Sequence, residues 1–329
     1  IDKHMLRDRA DKIDDVTDDR WGKVNEHNKE MLQEFLDANK HLSPKSIKQY
    51  TSALRIFFTF ICEKLNNKPM YQIKKRDFIK YFSFLQEHKL SSSALKFKKS
   101  AVSSLCNYIE NVVAEEEDDY KDFRNPTKAI KEIPTNKVYE KVKITKDEYD
   151  FLIKTFEEKE QWLYALWCVV AFNTAARRAE IVKFKSEIGN YAIPEGQNFV
   201  ESHVILAKGR AGGKPVKYLL NEEVLKYIKK WLSIRGYEHE YIFTTKYNGE
   251  ISCMSEGWAG ELCTNVISPL LGRRINPHIF RASASTYLME LGKDISSISK
   301  HILHHDSLEV TQRYLIRNDS EDKNKLFEV

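Results

Sequence analysis

Residues 161–172 constrain the fold more than any other stretch. Gln161 to Phe172 reads as one helix with Trp162, Leu163, Leu166, Trp167, Val169 and Val170 spread nearly all round it, and a helix with no polar face has to be enclosed by other elements. The surrounding sequence offers them. Thr145 caps a helix that runs to Phe156, and further helices follow over Asn221–Ile234 and from about Ser255 onward. Asn173-Thr174 breaks the apolar helix, and a new helix starts with Arg177 and Glu180 three apart, hence on one face. Between these helices HVILAKGRAGGKPVKYLL (His203–Leu220) changes period to strand, glycine-containing turn and strand, a hairpin with Lys208 at the start of its turn. YIFTTKYNGEIS is irregular or a short hairpin.

The N-terminal half has a different character. A helix from Val24 to about Asn39 shows Met31, Leu32, Phe35 and Leu36 on one face. In LSPKSIKQYTSALRIFFTFICEKL, Ser43 caps, Pro44 takes the first helical position, and Ile47, Tyr50, Leu54, Phe57, Phe58 and Ile61 form the apolar stripe. Helices over Lys75–Glu87 and Ser92–Asn111 repeat the pattern, so a four-helix bundle is expected. Lys45 and Lys48 fall outside the stripe of the second helix, while Lys96, Lys98 and Lys99 open the fourth; these lysines either face phosphates or cover a solvated surface. Residues 1–24 are charged and weakly periodic, a mobile arm or a vector-derived remnant without chemistry. Pro126, Pro134 and alternating lysines make 126–144 an extended linker. The expected organisation is arm 1–24, helical domain 25–125, linker 126–144 and a second domain 145–329, mainly α with a small β-hairpin or sheet.

A length of 329 residues suits two domains with a core each. No apolar run is long enough to span a membrane, and the five cysteines lack CxxC spacing, which fits reduced thiols in the cytoplasm. The net charge of +5 comes from 53 Lys and Arg against 48 Asp and Glu, and segregating those charges by face would create a phosphate-binding surface.

Three further features carry chemistry. Asn276 caps a helix with Pro277 first, which sets His278 and Arg281 one turn apart at the end that attracts anions. Gly292 closes that helix and Asp294 caps the next, which leads into KHILHHDSLEVTQRYLI. His305 and Tyr314 would lie on opposite faces of an unbroken helix. They cooperate only if the chain turns between them, which Asp306-Ser307 can provide with Ser307 as N-cap and Glu309 in the first turn. Two arginines after helix breaks, a lysine on a hairpin, histidines and a tyrosine suit metal-free attack on a phosphodiester. Arginine offers a planar, permanently charged fork for phosphate oxygens. A tyrosine hydroxyl with pKa near 10 sits about 4 kcal/mol short of ionisation at neutral pH, a gap that cations and a base can offset.

These residues resemble the tyrosine recombinases, the phage integrases and Xer-type resolvases, across residues 25–316. TAARRAEI (174–181) is similar to the motif of the first catalytic arginine, AKGRAGGK (207–214) to the lysine hairpin, HIFR (278–281) to His-x-x-Arg, and LHHDSLEVTQRY (303–314) to the histidine-to-tyrosine motif. The N-terminal helices resemble the family's SAM-like core-binding domain. The resemblance implies that Arg177 and Arg281 hold the scissile phosphate and that Lys208 protonates the leaving 5′-oxygen. It implies that His278 and His305 bond the phosphate or handle the tyrosine proton, that Glu180 orients Arg177, and that Tyr314 forms a 3′-phosphotyrosine link. It further implies double-stranded DNA sites as substrate, a tetramer on paired sites, DNA-bending accessory proteins as possible partners, and a cytoplasmic, nucleoid-associated location. Neither metal, ATP nor any other cofactor is expected.

Four departures stand out. Ala175 and His304 replace usual glycines, Ala282 replaces a frequent histidine, and fifteen residues follow Tyr314 where the family often has a longer tail docking onto a neighbouring protomer. Lys214 or Lys217 are alternatives to Lys208, and His301, His304 and His305 could be taken as metal ligands, although no third partner is signalled beside positions that share a face. Competing functions are a catalytically silent DNA-binding architectural protein and a type IB topoisomerase-like nicking enzyme.

Overall fold

The computed structural model describes residues 13–88, 90–130, 142–208, 212–307 and 310–312. They form two compact units, divided near residue 140.

In the first unit, α1 (Asp18–Gly22) precedes α2 (Glu26–Ala38), α3 (Pro44–Lys64), α4 (Lys75–Glu87) and α5 (Ser92–Tyr108). Local chemistry sets the starts: Ser43 Oγ accepts from the Ser46 N–H with Pro44 at the first position, and Ser91 caps α5 in the same way. Phe57, Phe58, Phe78, Tyr81 and Leu85 interlock in the core, with Phe57 stacked on Phe78 at 5.6 Å. The last turn expected of the fourth helix is a π-helical turn over Ile109–Val113, followed by α6 (Ala114–Glu116).

Two expectations for this unit change. Residues 13–24 are not a free arm: Arg20 forms a fork-to-fork pair with Glu63 at 2.8 Å, Trp21 packs against the core, and Val24 is buried. The apolar anchors Ile13, Trp21 and Val24 are too few and too unevenly spaced to register as a helix in so charged a segment. The stretch from Pro126 does not begin as an extended linker either. Asn125 caps a 3₁₀ turn over Pro126–Ala129 and donates to Ser103 and Asn107 of α5, with Thr127 buried.

The second unit is built on the enclosed helix. α7 (Lys146–Glu158), capped at Thr145, precedes α8 (Trp162–Thr174), and α8 packs against α7 and two later helices, α10 (Glu222–Ile234) and α13 (Pro277–Glu290). Every residue from Ala165 to Phe172 is buried. A single turn, α9 (Arg178–Ile181), follows; Arg177 is its extended N-cap rather than its first helical residue. Then come three two-stranded antiparallel pairs: β1 (Val200–Glu201) with β4 (Leu219–Leu220), β2 (Ile205–Ala207) with β3 (Lys214–Val216) in register Ala207 to Lys214, and β5 (Thr244–Tyr247) with β6 (Glu250–Cys253). α11 (Glu256–Leu262) leads through a π-helical turn to α12 (Ser268–Leu271). After α13, Asp294 caps α14 (Ile295–Ser297), which continues as a π-helical turn over Ile298–Leu303. Among the described residues no helix is long and apolar enough to cross a membrane.

Candidate active site

Glu180 is the hub of the site, 1% exposed. Its Oε1 accepts from Arg177 Nη1 at 3.1 Å and from the Lys208 backbone N–H at 3.4 Å. Its Oε2 accepts from the Arg177 N–H at 3.2 Å and from the Tyr218 hydroxyl. Burial alone would raise the carboxyl's pKa; the Tyr218 hydrogen bond and the Arg177 charge and amide outweigh it and hold the group below the ordinary carboxylate value. Arg177 is thus fixed twice by one carboxylate, and the same carboxylate reaches the root of Lys208.

Arg281 lies deeper than its place on a helix N-terminal turn suggested, at 1% exposure. Its Nη1 donates to the Ala175 carbonyl at 2.5 Å and its Nη2 to the Leu303 carbonyl at 2.6 Å, with His305 Nε2 3.5 Å from Nη2. The guanidinium therefore ties the loop before Arg177 to the turn that carries His305. His278 sits exposed on the first turn of α13.

His305 is set by a relay that the residue pattern did not reveal. Its Nδ1 lies 2.8 Å from Thr311 Oγ1, which donates at 2.8 Å to Ser299 Oγ. A hydroxyl has one proton, so Thr311 accepts from an Nδ1–H of His305, and Nε2 keeps its lone pair beside Arg281. Burial, then the charges of Arg281 and Arg177, depress the imidazole to about 4, so the ring is neutral at physiological pH.

Both glycine-replacing residues occupy left-handed backbone: Ala175 has φ +54° and His304 has φ +54°. That conformation costs a non-glycine residue about 1 kcal/mol, which explains why glycine is usual there. The structure also moves the turn. Helix ends at Leu303, His304 is the left-handed residue, and the His305 N–H closes the end onto the Ser299 carbonyl at 3.0 Å. The break therefore begins two residues earlier than expected, at His304, and runs on through a bend at Asp306 to Ser307, and residues 310–312 are helical again. Tyr314 and Glu309 lie outside the described residues.

The lysines separate by their partners. Lys214 Nζ donates to Asp306 Oδ1 at 2.6 Å and to the His304 carbonyl at 3.2 Å, and Lys217 pairs with Glu201 at 3.4 Å. Lys208 is exposed and has no carboxylate partner among the described residues. In the first unit Lys45, Lys48 and Lys96 are exposed, whereas Lys98 and Lys99 are half-buried. Burial lowers the Lys98 pKa, and Lys99 donates to the Ile130 carbonyl at 3.1 Å. Among the described residues no group of three His, Cys, Asp or Glu is placed to hold a metal ion.

The depressed histidine has a consequence for stability. Between pH 6.5 and about 4 the unfolded chain protonates this ring while the folded chain does not, so stability present above 6.5 is lost as pH falls through that window. His304 is shifted in the same direction by burial and Arg281. Thermal unfolding from pH 7 to pH 4 is expected to show a falling Tm in the wild type and a shallower fall in His305→Asn; equal slopes would contradict the buried neutral imidazole.

Comparison with known proteins agrees with this geometry. The phage integrase family matches residues 142–321, and the N-terminal SAM-like domain of phage integrases matches residues 30–114. The chain is 48% identical to an SPbeta prophage-derived recombinase-like protein, YomM, of Bacillus subtilis, over 99% of this chain and 98% of that one. It is 24% identical to the tyrosine recombinase XerA of Pyrococcus horikoshii, over 87% and 89% of the two chains. Two solved structures share the fold at a TM-score of 0.64. One is a Tn1549 transposon integrase in complex with circular intermediate DNA, at 15% identity over 91% of this chain and 99% of that one. The other is the XerH site-specific recombinase in a post-cleavage complex with a palindromic difH substrate, at 17% identity over 92% and 89%. With Arg177 capping the turn beyond the enclosed helix, a hairpin carrying Lys208 and a buried Arg281 beside His305, the chain belongs to the phage integrase family, the tyrosine recombinases, enzymes that cleave and rejoin DNA.

Proposed function

We propose that this protein is a site-specific recombinase that integrates or excises a mobile element through a 3′-phosphotyrosine intermediate. The observation that carries the reading is the convergence of Arg177, Arg281 and His305 around one position, with Glu180 fixing Arg177 and two backbone carbonyls fixing Arg281. Two guanidinium forks there would neutralise the charge that a pentavalent phosphate gains. Tyr314 Oη would attack phosphorus and the bond to the 5′-oxygen would break. The tyrosine proton would pass to the lone pair on His305 Nε2, and Lys208, the hairpin lysine not committed to a carboxylate, would supply a proton to the leaving oxygen. His278, on the first turn of α13, would bond the phosphate. A partner strand's 5′-hydroxyl then reverses the chemistry, and bond energy is conserved without ATP.

Exposed Lys45, Lys48 and Lys96 fit contacts to the DNA backbone, Lys98 and Lys99 less well because of their burial. Four protomers on paired sites, and accessory proteins that bend DNA, belong to the same reading. The prophage origin of the 48%-identical relative supports a mobile-element role.

The test uses a duplex site selected by the protein from a random library and nicked so that cleavage traps the complex. Covalent adduct is expected in the presence of a metal chelator, and affinity is expected to fall steeply with salt as phosphate contacts release counterions. Binding without adduct would favour the architectural reading and sink the enzymatic one.

A further inference from the structure

The carboxylate of Glu180 is held from both ends of one hairpin. The Lys208 N–H reaches Oε1 where the turn begins, and the Tyr218 hydroxyl reaches Oε2 two residues beyond β3. Tyr218 is 1% exposed, and burial raises its pKa, so its hydroxyl keeps the proton that it donates. Its ring is fixed independently, against Phe184 at 5.8 Å and by the His304 ring edge-on at 5.2 Å and 84°. Glu180 Oε2 is shared between this hydroxyl and the Arg177 amide, and Oε1 between the Arg177 guanidinium and the Lys208 amide. Rotation of the carboxylate would therefore displace the arginine and the lysine root together.

We propose that Tyr218 is a positioning residue for strand cleavage: its hydroxyl locks the Glu180 carboxylate in the one rotation that holds the Arg177 fork and the Lys208 root in register. The inference rests on the recombinase reading for its kinetic consequence, but the lock itself is a property of the DNA-free protein. The charged groups around the pair are Arg177 and Arg281, and Lys214 lies beyond the His304 ring that packs on Tyr218.

The experiment compares wild type, Tyr218→Phe, Glu180→Gln and the double variant. Phenylalanine keeps both ring contacts and removes only the hydroxyl. On the nicked duplex described above, single-turnover cleavage by Tyr218→Phe is expected to fall about tenfold with unchanged duplex affinity, the size of a hydrogen bond to a charged group. The double variant should be no slower than Glu180→Gln alone, because the hydroxyl acts through the carboxylate. In parallel, carbon-13 NMR of the DNA-free protein should show the Glu180 carboxyl titrating at higher pH in Tyr218→Phe. A Tyr218→Phe protein with wild-type rate, a double variant whose losses multiply, or an unmoved Glu180 titration would each overturn the proposal. If the wild type itself forms no adduct, the recombinase reading fails, and the Glu180 titration still decides the lock.

Discussion

Replacing Arg281 with lysine is expected to slow covalent cleavage by roughly a hundredfold to a thousandfold, the range for losing a preorganised donor to a developing oxyanion. The charge survives in this variant, so the loss comes from geometry. Arg281 spans from the Ala175 carbonyl to the Leu303 carbonyl with two nitrogens of one plane, and an ammonium on a flexible stem cannot meet both and still face a phosphate. Because the side chain is buried, one carbonyl would be left without its donor, a cost of about 1–3 kcal/mol. A lower Tm should therefore accompany the slower rate, while duplex affinity, dominated by many backbone contacts, changes little. Cleavage within a few-fold of wild type would remove Arg281 from the phosphate.

The second large effect belongs to Tyr314. Phenylalanine there removes the proposed nucleophile and nothing else, so adduct should drop by at least about four orders of magnitude, to below detection, with binding retained. Among the described residues of this segment, the Thr311 hydroxyl is committed to His305 and Ser299. Residual adduct of a tenth or more would point to another nucleophile.

Much of this architecture is legible in the residues themselves. Caps are local chemistry, and Ser43, Thr145, Asn276 and Asp294 each accept the backbone N–H that their position promises. The apolar belt of α8 demanded enclosure and received it. The strand pair on either side of Lys208 followed from a change of period around glycines.

What the pattern did not reveal is long-range. Tyr218 lies 38 residues from the carboxylate it holds, and no periodicity relates them. The depth of Arg281 depends on carbonyls from residues 175 and 303, contributed by two distant turns. The Thr311 relay to His305 crosses a helix break that opens on the left-handed His304, two residues before the polar pair expected to make the turn. The charged N-terminal segment hid its anchor because ion pairs of Arg20 with Glu63 and Asp18 with Arg55, and unevenly spaced apolar contacts from Ile13, Trp21 and Val24, leave no repeating signal.

In the proposed reaction one tyrosine on the segment after His305 becomes joined to a 3′-phosphate held by Arg177 and Arg281. The direct measurement is peptide mapping of the trapped adduct by mass spectrometry after nuclease and protease digestion. A single modified peptide is expected, with the nucleotide on Tyr314 through a 3′-phosphate. A link to any other residue, or through a 5′-phosphate, would contradict it.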